Sequence, residues 1–319
     1  MKKINKESLL YPVLLSFAIF VLLSLLMMFD VLGRYETGII ISICINIILV
    51  ISLNITTGFL GQLTLGHAGF MAVGAYGSAY LLKEVLNFLP SSIGFVIALI
   101  LGGLLAMFFG IVIGVPTLRL KGDYLAIITL AFGEVIRTIL LNLKIVGGAK
   151  GYTGISRLTN FNNVFIIMII SSVLMILLIR SRHGRAIISV REDEIAAEAS
   201  GINTAYFKIL AFVTAAFFAG VAGGLYAHYM GILEPRTFGF NKSIEILVMV
   251  VLGGMGNIKG GIISAIILTL LPELLRDAAS YRTLIYALVL IVMMLFKNNP
   301  MWMYHIKEFF KFKRKEKVV

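Results

Sequence analysis

The sequence predicts an all-α fold, a polytopic membrane bundle of about ten transmembrane spans, and three observations carry that prediction. Mean hydropathy is +0.98 and only 14% of the 319 residues are charged, too apolar a composition to be hidden in one water-soluble core. Uncharged stretches of membrane-crossing length recur along the chain. Residues 8–29, 158–179 and 209–233 each suit one helix across about 30 Å of hydrocarbon, and 85–118 holds a span with its approach. Finally, the uncharged stretch from Thr37 to Leu82 would run about 69 Å as one helix, so it must break.

The break is marked by Thr56, Thr57, Gly58, Gly61 and Gly66. This gives spans at 38–55 and 67–82, with a Gly-rich broken segment after the second span. A further span is expected near Thr129–Leu141. In the last third, 246–258, 260–272 and 283–296 have the length of half-helices or of tilted spans with charged ends. The whole chain, 1–319, reads as a single transmembrane domain.

Net charge is +12, which in a soluble protein would point to nucleic acid; in a membrane chain the placement of Lys and Arg matters more, and no nucleic-acid partner is read. With ten spans, Lys2, Lys3, Lys6, Arg119, Lys121, Arg180, Arg182, Arg185, Arg191, Lys208, Lys259 and the basic tail 297–319 fall on the side of the termini. Positive charge favours the cytoplasm, so both termini are expected there, in a bacterial-type cytoplasmic membrane. The apolar run after Lys6 is too long for a secretory signal, lacks a small-x-small cleavage site, and reads as the first span. Cys44, the single cysteine, lies in the second span and excludes a disulfide framework. In the tail, Phe309, Phe310 and Phe312 alternate with basic residues, as suits the anionic inner leaflet of a lipid bilayer.

Between the sixth and seventh spans, 180–208 is the largest inner loop. Within it Ser189 and Glu192 form an S-x-x-E capping box, Ile195, Ala199 and Ile202 fall at helical spacing, and Gly201 is a stop signal. A helix of about ten residues is marginal alone and needs something to dock against. The plainer reading is a solvated connector with Arg191, Glu192, Asp193 and Glu194 facing water. Gly-rich interruptions at 58–69 and 253–261 also suggest two related halves with a path between them.

Catalysis finds little support. His67, His183, His228 and His305 are scattered, without metal-ligand spacing to Cys, Asp or Glu, so neither metal nor cofactor is expected. No G-x-x-x-x-G-K-[ST] loop is present, so a separate partner must handle any ATP. Glu134 and Arg137, three apart, read as a local ion pair near the outer end of a span, and Glu245 as an interfacial residue. The G-x-x-x-G patterns at 110–114, 220–224 and 256–260 read as close helix packing. The broken segment is the most specific polar feature. Non-helical backbone at membrane depth must be buried in protein or line a watery cavity, which makes Gly58, Gly61, Gln62, Thr64, Gly66 and His67 candidates for a translocation path.

Five blocks in order resemble the permease subunits of branched-chain amino acid ABC transporters, specifically the M-type: TGFLGQLTLGHAGFMAVGAY (56–76), GDYLAIITLAFGEVIR (122–137), GRAIISVREDEIAAEASGIN (184–203), AFFAGVAGGLYAHY (216–229) and SIEILVMVVLGGMGNIKGG (243–261). That resemblance implies an importer of Leu, Ile or Val built from a second homologous permease, two ATP-binding subunits and an extracytoplasmic solute-binding protein. It also places an ATPase-coupling helix over Val190–Ser200, with Ser189, Arg191, Glu192, Glu194, Ile195, Ala196, Ala197 and Gly201 as its candidate residues. The segment is similar to the EAA-x-x-x-G element of importer permeases, with Ile195 where the Glu would stand and Glu194 beside it. Permeases of this fold also serve urea and short amides, and a stand-alone carrier or channel is the alternative from another class.

Overall fold

The computed structural model describes residues 20–24, 33–117, 120, 122–274 and 291. Apart from 20–24 and 291, the spans expected at 8–29 and 283–296 lie outside the described residues, as does the tail 297–319.

The first described long helix, α1 (Arg34–Asn54), continues through a π-turn at Ile55–Phe59. From Cys44 to Asn54 every residue is buried, because the sequence is mostly apolar, its polar Asn46, Ser52 and Asn54 find partners, and other helices enclose it. α2 (His67–Tyr80) is also prolonged by a π-turn, at Leu81–Val85. It packs between α3 (Ser91–Thr117) and α8 (Thr204–Met230), while α5 (Phe161–Arg180) and α8 flank α1. α4 (Asp123–Asn142) leans on α2.

Small residues set how closely these helices approach. A Cβ on Gly223 of α8 would fall 2.0 Å from the Met71 carbonyl oxygen of α2, so the two backbones touch there. The expected packing role of Gly110, Gly220 and Gly224 has direct counterparts at Ala216, Ala106 and Leu99. On α3, Ile93, Val96, Ile100, Leu104, Phe108, Val112 and Val115 form an exposed stripe at helical spacing.

Among the described residues, five helices are long and apolar enough to cross a membrane: Arg34–Phe59, Ser91–Pro116, Asp123–Asn142, Phe161–Arg180 and Thr204–Met230. The last two described helices are shorter. α9 (Phe240–Gly253) has 14 residues and α10 (Ile258–Leu274) has 17. The expected run 246–258 therefore starts earlier and ends sooner, because Gly254 and Gly256 turn the chain at φ +97° and +78°. α9 and α10 pack on each other and on α1.

The bundle has two distinguishable ends. At one, Tyr152 and Leu233 exchange backbone hydrogen bonds of 2.8 and 2.9 Å, and Lys83 donates to the Thr153 carbonyl at 3.2 Å. At the other lie the end of α1, the turn at 254–257 and the loop 180–208, which carries α6 (Arg182–Glu192) and α7 (Glu194–Ala199).

Candidate functional site at the broken helices

After Phe59 the backbone reverses at Gly61, φ +76°, and Leu60–Gly66 returns along the last turns of α1 without helical structure. Side chains on the two arms record the climb. Thr56 Oγ1 lies 3.3 Å from Thr64 Oγ1, and one turn higher Ser52 Oγ lies 2.8 Å from His67 Nε2.

Several backbone groups of this segment find protein partners. The Gln62 N–H donates to the Thr56 carbonyl at 2.9 Å, Leu65 N–H to Thr129 Oγ1 at 3.0 Å and Ala68 N–H to Ser243 Oγ at 3.2 Å. Thr64 and His67 are buried and Gln62 is half-buried. Gly66 rests on α4, where a Cβ would fall 2.3 Å from the Thr129 carbonyl oxygen.

The two interruptions meet. Gly58 leaves no room for a Cβ, which would stand 2.3 Å from Gly256 N, and the Gly256 N–H donates to Asn54 Oδ1 at 2.8 Å. Arg191 reaches this junction from the loop, its Nη1 donating to the Gly58 carbonyl at 2.7 Å. Its stem lies so close to Gly61 that a Cβ there would fall 2.8 Å from Arg191 Cγ. Arg191 had been expected to face water. Its side chain is 41% exposed, yet it ties the loop to the broken segment, a link between residues 133 apart that no local pattern announces.

The loop itself differs from expectation in its helix. Ser189 does not cap it: Ser189 lies inside α6 and its Oγ donates to the Ala186 carbonyl at 2.8 Å. Asp193 is the cap, its Oδ1 accepting from the N–H groups of Ile195 and Ala196 at 2.9 and 3.0 Å. The chain is extended at Asp193, so the single helix expected over Val190–Ser200 is two, and α7 has six residues. An Asp directly before E-I-A-A-E was the available signal, since Asp caps as well as Ser.

On α7, Ile195 is 78% exposed and Ala196 and Ala199 are also exposed, whereas Ala197 is buried within this chain. Ile202 is half-buried, and Gly201 sits at φ +81° in open space, where the helix ends. Two polar contacts hold α7 on α8. Lys208 Nζ, with its side chain 4% exposed, pairs with Glu194 Oε1 at 2.5 Å, and Thr204 Oγ1 donates to Glu198 Oε1 at 3.2 Å. Glu192 is well exposed, 3.9 Å from Arg191.

Toward the opposite end, Arg137 Nε donates to Glu134 Oε2 at 2.6 Å, the expected local pair. Glu134 Oε1 also accepts from the Phe240 N–H at 3.0 Å, seating a carboxylate at the first turn of α9. Among the described residues, no three His, Cys, Asp or Glu side chains come together as metal ligands.

The sequence matches the family described as branched-chain amino acid transport system / permease component over residues 36–297. It is 36% identical to the high-affinity branched-chain amino acid transport system permease protein LivM of Escherichia coli, the alignment covering 79% of this chain and 66% of that protein. The LivM of Salmonella typhimurium matches with the same identity and coverage. The LivH permease protein of the corresponding Salmonella typhimurium system is 34% identical over 47% of this chain and 50% of its own length. No solved structure matches. The chain thus spans just under two thirds of the length of the LivM proteins it resembles. With that match running from the start of α1 past the end of α10, the chain belongs to the permease-component family of branched-chain amino acid transport systems.

Proposed function

We propose that this chain is a permease subunit of an ATP-binding-cassette importer for branched-chain amino acids, forming the translocation path by alternating access. The observation that carries the reading is the 36% identity to LivM over 79% of the chain. Identity to LivH favours a second homologous permease beside it. The remaining proposed partners are two ATP-binding subunits and an extracytoplasmic solute-binding protein. The chain is a transport subunit, and ATP is hydrolysed on the partner that carries the phosphate loop its own sequence lacks. It crosses a bacterial cytoplasmic membrane about ten times, with both termini in the cytoplasm.

In this reading the end bearing α6 and α7 faces the ATP-binding subunits. Exposed Ile195 and Ala199 offer the docking face, with Ala196 beside them, while Asp193, Glu194 and Ala197 hold α7 to its own chain. Arg191 then carries a displacement of the loop to Gly58 and Gly61, where the α-helix has passed into a π-turn and then a reversal. The segment holding Gly58, Gly61, Gln62, Thr64, Gly66 and His67 lines or gates the path, because the irregular backbone of residues 60–66 within it can shift without breaking a helical ladder.

The test is reconstitution into liposomes. The chain alone is expected to show neither ATP hydrolysis nor uptake; with the partner subunits, ATP and loaded binding protein it imports Leu, Ile or Val. Uptake by the chain alone under a proton or sodium gradient would sink the proposal.

A further inference from the structure

A cavity of about 260 Å³ lies between α2, α8 and the first turn of α9. Met71, Tyr226 and Phe238 form an apolar wall, with Met71 and Phe238 almost fully buried and the Tyr226 and Phe238 rings edge to face at 5.9 Å. The opposite wall carries Asn241, Lys242 and Glu245, with Lys242 Nζ 3.2 Å from Glu245 Oε2. Thr237, Asn241 and Lys242 also border a second cavity of about 370 Å³, which Glu134, Arg137 and Arg236 help to line. The charged cavity and the apolar-walled one therefore share a wall at the start of α9.

We infer that the smaller cavity is a binding site for a zwitterionic amino acid with an apolar side chain, entered through the larger one; this rests on the import reading above. Lys242 and Glu245, paired with each other at 3.2 Å, exchange that contact for the carboxylate and the ammonium group of the ligand. Because their charges cancel, a net-neutral zwitterion keeps the site balanced, whereas a lone ion would leave one charge unpaired. Met71 is flexible and polarisable, so it adapts to branched side chains of different shape. The volume accepts about nine water-sized groups at ~30 Å³ each, the scale of a small amino acid and far below a peptide.

The test uses the complete importer carrying Asn241→Cys, since the native Cys44 is buried and gives little background. The complex is treated with fluorescein maleimide in detergent, where both faces are accessible, and the label is read on this chain's own band. After reconstitution, labelled Asn241→Cys is expected to lose at least tenfold in Leu uptake, while the unmodified importer given the same treatment does not. Co-purification of the partner subunits with the labelled variant stays normal. A second variant, Lys242→Gln with Glu245→Gln, keeps size and neutrality, and is expected to lose Leu uptake at least tenfold at normal co-purification. Normal uptake after labelling, or uptake within twofold in the double Gln variant, would overturn the site while leaving the import reading intact. Absence of Leu, Ile and Val uptake by the unmodified importer would overturn both.

Discussion

Replacing Glu194 with Ala removes the partner of an almost fully buried Lys208 ammonium group. Breaking a buried ion pair from one side costs about 3–5 kcal/mol, because the remaining charge is left unpaired away from water. Glu194 is 29% exposed, so the low end applies, about 3 kcal/mol. A six-residue helix has no stability of its own to absorb that loss. The cost therefore falls on the docking of α7, and at about 1.4 kcal/mol per decade local opening should rise roughly a hundredfold. The assay is amide hydrogen exchange in purified protein, read at Ala197, Ser200 and Ile202, whose N–H groups donate to Asp193, Ala196 and Ala197 carbonyls. Glu192→Ala serves as the control, since its side chain is 71% exposed and such pairs contribute under about 1 kcal/mol. Pairing Glu194→Leu with Lys208→Met should restore protection, because no charge is then stranded. If Glu194→Ala changes protection by less than about threefold, the pair does not anchor α7 and the reasoning fails.

Asp193→Ala should cost the loop about 0.5–2 kcal/mol while Ser189→Ala costs little, and thermal unfolding of the two variants separates a cap from a helix-interior serine. Ala197→Glu should release co-purified ATP-binding subunits because it buries a carboxylate inside this chain, whereas Gly201→Ala, with open space around it, should cost only the strain of a positive φ, about 1 kcal/mol. Arg191→Met should lower substrate uptake at least several-fold with assembly intact, and normal uptake would remove it from the coupling route. Gly66→Leu should fail to assemble, since its side chain meets the Thr129 carbonyl, while Gln62→Leu, half-buried, should assemble normally and slow uptake.

Hydropathy made the helical membrane class legible, because a bilayer demands long runs of apolar residues and nothing else in the chain resembles a soluble core. The uncharged stretch at 37–82 was likewise too long to be one helix, by arithmetic on the rise per residue. Local chemistry was a weaker guide in the loop: Ser189 and Asp193 are both good caps, and only the extended backbone at Asp193 decided between them. Ala197 matched a docking motif by sequence, yet its burial against its own chain depends on where α8 stands relative to α7. Arg191 on Gly58, Asn54 on Gly256 and Glu194 on Lys208 join residues 133, 202 and 14 positions apart. Spacing along one chain encodes which face of a helix is apolar; it does not encode which distant backbone carbonyl a long side chain will find, and that was decided by the packing of the bundle.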